Sequence, residues 1–225
     1  MVPTCRRRGR QELVRRVTAP GRLITLDGGE GAGKSTQAQL LTDTLVALGL
    51  PVMCTREPGG APGAELLRSL LLGAPVDWSA TAETLLHFAA RAEHVEKTIR
   101  PALAAGTWVV CDRFSDSTMA YQGYGQGADR AMIGTLSGLL RIVPDLTFVL
   151  DVSESVAASR RLERGAPTDR YERLGPLFHA RVYQGFRDIA ASAADRCVLI
   201  SADGPRQDVH DAIMLALRAR LPLPT

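Results

Sequence analysis

The stretch GGEGAGKS, from Gly28 to Ser35, begins at the end of the apolar run LITLDG and leads into a segment with helical spacing. It fits the pattern G-x-x-x-x-G-K-[ST], and a strand before it with a helix after it is the context that this pattern requires. Its glycines let backbone N–H groups turn toward phosphate oxygens, and the following helix adds its positive N-terminus. The stretch therefore predicts a loop that binds the phosphates of a nucleoside triphosphate.

Five short apolar runs predict the strands of a parallel sheet, because they are rich in Val, Ile, Leu and Thr without polar alternation. They are LITLDG, PVMCT, TWVVCDR, LTFVLDV and CVLIS. Helical spacing is found in segments 34–48, 64–72, 80–105, 129–140, 153–163, 171–193 and about 208–221. This alternation predicts an α/β fold, a five-stranded parallel sheet with helices on both faces, whose ligands bind beyond the carboxyl ends of the strands.

The charge of the chain is unevenly distributed along its 225 residues. The formal net charge is +3, but residues 1–22 hold seven arginines and one glutamate, so the rest has 20 basic and 23 acidic groups. A mildly acidic body argues against a broad nucleic-acid surface and favours local arginine clusters that act on small anions. We expect a basic tail at 1–21, either disordered or acting as a targeting or anion-contacting arm, and one domain at 22–225.

The four cysteines lie far apart, without a CxxC pair or histidines at metal-ligand spacing. They predict buried free thiols in a reducing compartment, here the cytoplasm. No apolar run approaches the roughly 20 residues of a membrane span, and the basic N-terminus lacks the apolar core of a secretory signal. We therefore expect no membrane partner.

CDRF, from Cys111 to Phe114, ends the third predicted strand. Asp112 can order the water shell of a magnesium ion or position an acceptor, and Arg113 can clamp a phosphate with two parallel hydrogen bonds. A surface ion pair is the alternative. Because Asp112 and Arg113 are expected at a strand end that faces the phosphate loop, we favour the role in metal and phosphate binding.

RRLERGAPTDRYER, residues 160–173, packs five arginines around a glycine-proline turn. It is either a solvated charged face or a lid that closes over a polyphosphate, expels water and brings guanidinium groups to the transferred charge. Phosphoryl transfer depends on positioning and charge neutralisation, which a closing arginine lid would supply.

TLLHFAARAEH, residues 84–94, places His87 and Arg91 on one helical face, with Phe88 about 100° away. If that face borders the pocket, the imidazole could stack on a base and the arginine could hydrogen-bond to it; polar filler is the alternative for His87. For Phe88 we expect core packing.

In this order, the motifs GGEGAGKST, TREPGG, DRFSDSTMAYQG and RGAPTDRYE resemble those of the thymidylate kinase family in its bacterial form, over about residues 23–221. The resemblance implies a P-loop nucleoside-monophosphate-kinase fold with a short arginine-rich lid at about 160–173. It also implies Mg²⁺-dependent transfer of the γ-phosphoryl group of ATP to dTMP, usually by a homodimer.

Site residues follow from the resemblance position by position. The implied ATP-binding residues are Gly28, Gly29, Glu30, Gly31, Ala32, Gly33, Lys34, Ser35 and Thr36. Those implied to bind dTMP are Glu30, Arg56, His87, Arg91, Arg113, Thr118, Tyr121 and Gln122. Ser35 and Asp112 are implied to hold the metal, and Lys34, Asp112, Arg113 and Arg164 to act in catalysis.

Three positions refine this picture. The family commonly has phenylalanine at His87 as a platform for thymine, so the resemblance predicts imidazole stacking there. The phosphate loop has no arginine, which resembles the branch that supplies one from the lid, with Arg164 expected first and Arg170 next. Glu30 is expected to face the deoxyribose 3′-hydroxyl, with a solvent-facing role as the alternative.

Two other functions remain open from the sequence. The first is a kinase for another nucleoside monophosphate, and the second is a P-loop regulatory ATPase that signals to a partner. The second lacks an evident water-positioning residue, whereas the arginines form a second anion site.

Overall fold

The computed structural model describes residues 20–73, 76–164, 170–171 and 173–223, with only the backbone of Arg164. Five strands form one parallel sheet in the order β2-β3-β1-β4-β5. They are β1 Leu23–Gly28, β2 Val52–Arg56, β3 Trp108–Asp112, β4 Leu146–Asp151 and β5 Cys197–Ser201. The prediction of a five-stranded parallel sheet flanked by helices is confirmed.

Helices connect the strands in the described part of the chain. They are α1 Lys34–Ala47, α2 Pro62–Gly73, α3 Ala80–His94, α4 Arg100–Ala104, α5 Ser115–Thr118, α6 Arg130–Leu139, α7 Glu154–Arg164, α8 Pro176–Ser192 and α9 Arg206–Arg220. A π-helical segment, Val95–Ile99, joins α3 to α4, and a second, Met119–Gly125, continues α5. None of these helices has the length and apolar character needed to cross a bilayer.

One predicted helix boundary was wrong, and one helical segment was missed. The helix expected at 171–193 begins only at Pro176, where proline suits the first turn because its missing N–H needs no partner there. The helical segment from Ser115 to Gly125 was not predicted, because SDSTMAYQGYG is polar and glycine-containing and shows no apolar period of 3.6.

The sheet is covered on both faces, which explains why its strands read as continuous apolar runs. All six residues of β1 are buried. Ile24 and Leu26 pack with Leu41 of α1 in one cluster, whereas Leu23 packs with Val109 in another. Each fully buried side chain of this size stabilises the fold by roughly 1.5–3 kcal/mol.

The carboxyl ends of the central strands meet at one edge. Asp112 at the end of β3 is in register with Leu26 of β1 and with Arg56 of β2. The phosphate loop, the loop after Arg56 and the turn at Arg113 therefore emerge side by side. This is the edge of the sheet at which the sequence predicts that ligands bind.

The thiols follow the expectation in part. Cys111 and Cys197 are buried and free, and burial raises the pKa of each. Cys54 is also free but exposed, because it lies on the edge strand β2. Cys5 lies outside the described residues, as do all residues of the expected tail from 1 to 19.

Candidate active site

A cavity of about 650 Å³ opens at the carboxyl edge of the sheet. Of the residues assigned from sequence, it is lined by Glu30, Gly31, Gly33, Lys34, Ser35, Thr36, Arg56, His87, Arg91, Asp112, Arg113, Thr118, Tyr121 and Gln122. Three assigned loop residues are absent from this lining. Gly28 ends β1, Gly29 offers its carbonyl to Lys34, and Ala32 packs in the core.

The phosphate loop has the backbone geometry that anion binding needs. Gly31 and Gly33 have φ values of 77° and 88°, a region that favours glycine. At Gly31 a Cβ would also come within 2.6 Å of the Ala157 carbonyl oxygen. The loop then enters α1 at Lys34 through Gly33 as the N-cap, so the positive end of this helix lies directly at the loop, where it favours an anion.

Lys34 is buried at the base of the loop. Its Nζ donates to the Gly29 carbonyl at 2.7 Å. Burial, assisted by Arg113, lowers its pKa to about 8 from an ordinary 10.5. The ammonium therefore lies in a poorly solvated position, where a polyphosphate would be a much better partner than one carbonyl oxygen.

Ser35 and Asp112 meet at the point where α1 and β3 face each other. The Ser35 hydroxyl donates to Asp112 Oδ2. Asp112 Oδ1 is buried and has no hydrogen-bond partner among the described residues. A hydroxyl beside an unsatisfied carboxylate oxygen suits Mg²⁺, which takes oxygen ligands and completes its shell with water and phosphate.

Arg113, Glu30 and Tyr121 form a buried group between the loop and the π-helical segment. Arg113 Nη2 lies 2.5 Å from Glu30 Oε1, and the Tyr121 hydroxyl donates to the same oxygen at 2.9 Å. Burial opposes the charged form of Arg113, but Glu30 raises its pKa well above the ordinary range. Glu30 is 8% exposed, so the solvent-facing alternative for this residue is wrong.

The backbone holds Arg113 in place. Its φ is 69°, which is uncommon outside glycine and costs roughly 1–3 kcal/mol. The turn is tied down on both sides, since the Arg113 N–H donates to the Leu26 carbonyl at 2.9 Å and the Ser117 hydroxyl donates to Asp27 at 2.5 Å. In this backbone conformation the guanidinium reaches the phosphate loop at Glu30.

Arg91 is buried with one donor group left over. Its Nε donates to Glu57 at 2.7 Å, and its Nη2 donates to the Phe114 carbonyl and the Thr118 hydroxyl, each at 3.0 Å. Nη1 is buried and has no hydrogen-bond partner in the described part of the chain. His94 Nδ1 lies 3.1 Å from Glu57 Oε1, so the carboxylate that holds Arg91 is itself held in position. Arg91 is therefore a fixed donor that suits a carbonyl oxygen of a ligand.

His87 lines the cavity, but its polar edge is engaged. Its Nε2 lies 2.9 Å from the Tyr171 hydroxyl, and the two rings are tilted by 41°. Burial, with Arg91 next, lowers its pKa to about 3, so the imidazole is neutral. Phe88 is 5% exposed and packs with Ile133, which matches the core packing expected for it.

The arginines expected in a lid are separated by the structure. Arg160 donates to the carbonyls of Ala202 and Gly204, while Arg170 pairs with Glu83 and Asp77 and is not part of the cavity lining. Arg161 lines the cavity with a buried Nη1 that has no partner among the described residues. The side chain of Arg164 and residues 165–169 lie outside the described part of the chain.

Sequence reasoning missed several groups that build this site. Glu57 and Glu83 are buried carboxylates, and Tyr171 lines the cavity. Glu57 lies within TREPGG and Tyr171 within RGAPTDRYE, so both were inside recognised motifs without a role. Glu83 carried no signal, because a single glutamate in a helix is usually on its solvated face.

Comparison with known proteins gives a consistent result. A family model described as Thymidylate kinase matches residues 26–213. A thymidylate kinase of Rhizorhabdus wittichii is 52% identical, over 90% of this chain and 100% of its own length. One of Gluconobacter oxydans is 48% identical, over 89% and 96%. The crystal structure of thymidylate kinase from Ehrlichia chaffeensis is 37% identical, with a TM-score of 0.71, over 88% of this chain and 99% of that one.

Proposed function

The chain belongs to the thymidylate kinase family and phosphorylates dTMP with ATP, and we propose that it does so by direct in-line transfer of the γ-phosphoryl group in the cavity described above. The observation that carries the mechanism is the convergence of two anion sites on one cavity. The phosphate loop with Lys34 forms the first, and Arg56 with Arg113 forms the second.

On the donor side, the loop from Gly28 to Thr36 binds the ATP phosphates through backbone N–H groups and Lys34. Lys34 is the cation that follows the charge developing on the transferred group. Ser35 and Asp112 would hold Mg²⁺, supported by the unsatisfied Oδ1 of Asp112. When bound, Mg²⁺ neutralises and orients the donor phosphates.

On the acceptor side, Arg113 and Arg56 bind the phosphate of dTMP. Arg113 is fixed by Glu30, whereas Arg56 is 54% exposed and paired with Glu65 at 3.2 Å, so it can exchange that surface carboxylate for a phosphate. Arg91 donates to a thymine carbonyl through its free Nη1. His87, Thr118, Tyr121 and Gln122 line the base and sugar.

The chemistry needs no strong general base, because an oxygen of the acceptor phosphate is already anionic near neutral pH. That oxygen attacks the γ-phosphorus, the bond to the β-phosphate oxygen breaks, and ADP and dTDP result. Lys34, Arg113 and a lid arginine spread the developing charge. Arg164 stays our first candidate for the lid arginine, and Arg161, with its free Nη1 at the cavity, is a second.

The stereochemistry at phosphorus tests this mechanism. With ATP made chiral at the γ-phosphorus by oxygen isotopes and thiophosphate, a single direct transfer inverts the configuration in dTDP. Retention would indicate two transfers through a phosphorylated enzyme group and would contradict the mechanism. Equal amounts of ADP and dTDP, without free phosphate, would exclude the regulatory ATPase.

A homodimer in the cytoplasm is the state we propose for the protein. Large apolar side chains exposed on α2, α3 and α6 would supply surface for a partner protomer; they are Leu66, Leu85 and Leu139. Light scattering on the purified protein tests this directly, and a monomer mass at micromolar concentration would contradict it.

A further inference from the structure

We propose that Glu83 sets the hydrogen-bond polarity of the base pocket: as an obligate acceptor it turns the amide of Gln122 so that an oxygen, not an N–H group, faces the ligand. Glu83 is thus a positioning residue for base selection. The inference rests on the proposed function, since it concerns the base end of the same cavity.

Glu83 is a fully buried carboxylate in α3 that is surrounded by donors. Its Oε1 accepts from Gln122, Gln126 and Tyr171, each at 2.8 Å, and its Oε2 accepts from Arg170. A carboxylate accepts at about four positions and donates at none, so each neighbour must present hydrogen to it. The ion pair with Arg170 offsets much of the cost of burying this charge.

This acceptor dictates which end of the Gln122 amide faces it. Nε2 donates to Glu83 at 2.8 Å, and its second hydrogen reaches the Tyr171 hydroxyl at 3.3 Å. Both N–H groups are therefore used inside the network. The side-chain hydrogen bonds of Gln122 to described residues both come from Nε2, which leaves Oε1 as the group that can accept from a ligand, and Gln122 lines the cavity.

Glu83 also determines the direction of the hydrogen bond between Tyr171 and His87. Tyr171 has one hydroxyl hydrogen, and it donates this hydrogen to Glu83. The hydroxyl oxygen must then accept from His87, so the network assigns the imidazole proton to Nε2. The Tyr171 ring packs edge-on against the ring of Tyr121, with 5.5 Å between their centroids. This contact links the hydrogen-bonded residues of the base pocket to Tyr121, which we assign to the sugar end of the cavity.

The result is a pocket with one fixed acceptor and one fixed donor. Gln122 offers Oε1, because its Nε2 is held by Glu83 and Tyr171, and Arg91 offers Nη1, which is buried and has no partner among the described residues. Thymine presents an N–H at position 3 beside a carbonyl at position 4, which matches this pair. Cytosine presents a lone pair at position 3 beside an amino group, so it would face acceptor against acceptor and donor against donor.

The experiment is the ratio of kcat/KM for dTMP to that for dCMP in Glu83→Gln. The new amide can donate as well as accept, so Gln122 is free to turn over, and we expect the ratio to fall by at least about tenfold because one buried hydrogen bond is inverted. The KM for ATP should stay within about twofold, since Glu83 lies outside the phosphate loop.

Two further variants separate polarity from packing. Asp77 is the other carboxylate partner of Arg170, and its side chain is fully exposed. Asp77→Asn makes the same carboxylate-to-amide change there and should leave the ratio of kcat/KM for dTMP to that for dCMP unchanged. Tyr171→Phe removes a hydroxyl of the wall but leaves Glu83 facing Gln122. It should raise the KM for dTMP while keeping the preference over dCMP.

The inference would be overturned if folded Glu83→Gln kept the wild-type ratio of kcat/KM for dTMP to that for dCMP. It would also be overturned if Tyr171→Phe lowered this ratio as much as Glu83→Gln does. If Glu83→Gln does not fold, Gln122→Met decides, because it removes the acceptor and leaves Glu83 in place; an unchanged ratio there also overturns it. A wild-type enzyme without preference for dTMP would instead refute the proposed function, so the two failures are distinct.

Discussion

Replacing Lys34 by methionine should stabilise the protein without nucleotide while it abolishes catalysis. The ammonium is buried, 6% exposed, and its only hydrogen bond within the described residues is to the Gly29 carbonyl. Burial lowers its pKa to about 8, whereas in the unfolded chain it has its ordinary value of 10.5. Methionine keeps an apolar stem of similar length without the charge.

The magnitude follows from these two pKa values. Their difference corresponds to about 3 kcal/mol of destabilisation at pH 7, where both states are protonated. The unfolded chain binds more protons between pH 8 and 10.5, so the free energy of unfolding of the wild type rises with pH through this window. After allowing about 1 kcal/mol for the lost hydrogen bond, Lys34→Met should be more stable by roughly 2 kcal/mol at pH 7.

Urea denaturation at pH 7 and pH 10 without nucleotide measures this difference. The gap between Lys34→Met and wild type should narrow at pH 10, and ATP should stabilise the wild type far more than the variant. Lys97→Met is the control, because Lys97 is exposed and should change stability by less than about 0.5 kcal/mol. A variant less stable than wild type at pH 7, or a gap that does not change with pH, would refute the reasoning.

Three further outcomes are expected. Arg113→Ala should lower turnover by about a thousandfold or more, with its circular-dichroism spectrum unchanged, because it removes the guanidinium held by Glu30; near-normal turnover would count against the acceptor site. The ring nitrogens of His87 should show no titration by NMR between pH 5 and 8.5, because its pKa is about 3; an inflection near pH 6.5 would show a solvated imidazole. Deleting residues 1–20 should leave turnover unchanged, because the first described contact of the fold is the Gly21 N–H to the Leu103 carbonyl; loss of turnover in a folded truncation would assign the tail a function.

The fold could be predicted because its signals are local. The apolar runs of β1, β3 and β4 are almost wholly buried, and each strand end is followed by a polar loop, so composition and spacing were sufficient to predict the strands. The phosphate loop carries its function in its own backbone, which Gly31 and Gly33 reveal directly. The helical segment from Ser115 to Gly125 was missed because packing against α8, not sequence period, maintains it.

The site was harder to predict because its side chains are oriented by distant partners. His87 was expected to be a stacking platform, but its polar edge is fixed by Tyr171, 84 positions further along the chain. Arg170 was expected near the phosphates, but a buried carboxylate in α3 holds it. A glutamate such as Glu83 looks the same in sequence whether it faces water or four donors. Only the tertiary structure separates these cases.

The most direct test of the central claim is an acceptor panel with purified protein, ATP and Mg²⁺, in which dTMP, dCMP, UMP and dGMP are compared at equal concentration. The two anion sites and the donor–acceptor pair at the base end predict rapid, stoichiometric conversion of dTMP to dTDP and much slower use of the others. Comparable turnover of dCMP or UMP, or release of free phosphate without dTDP, would contradict the account.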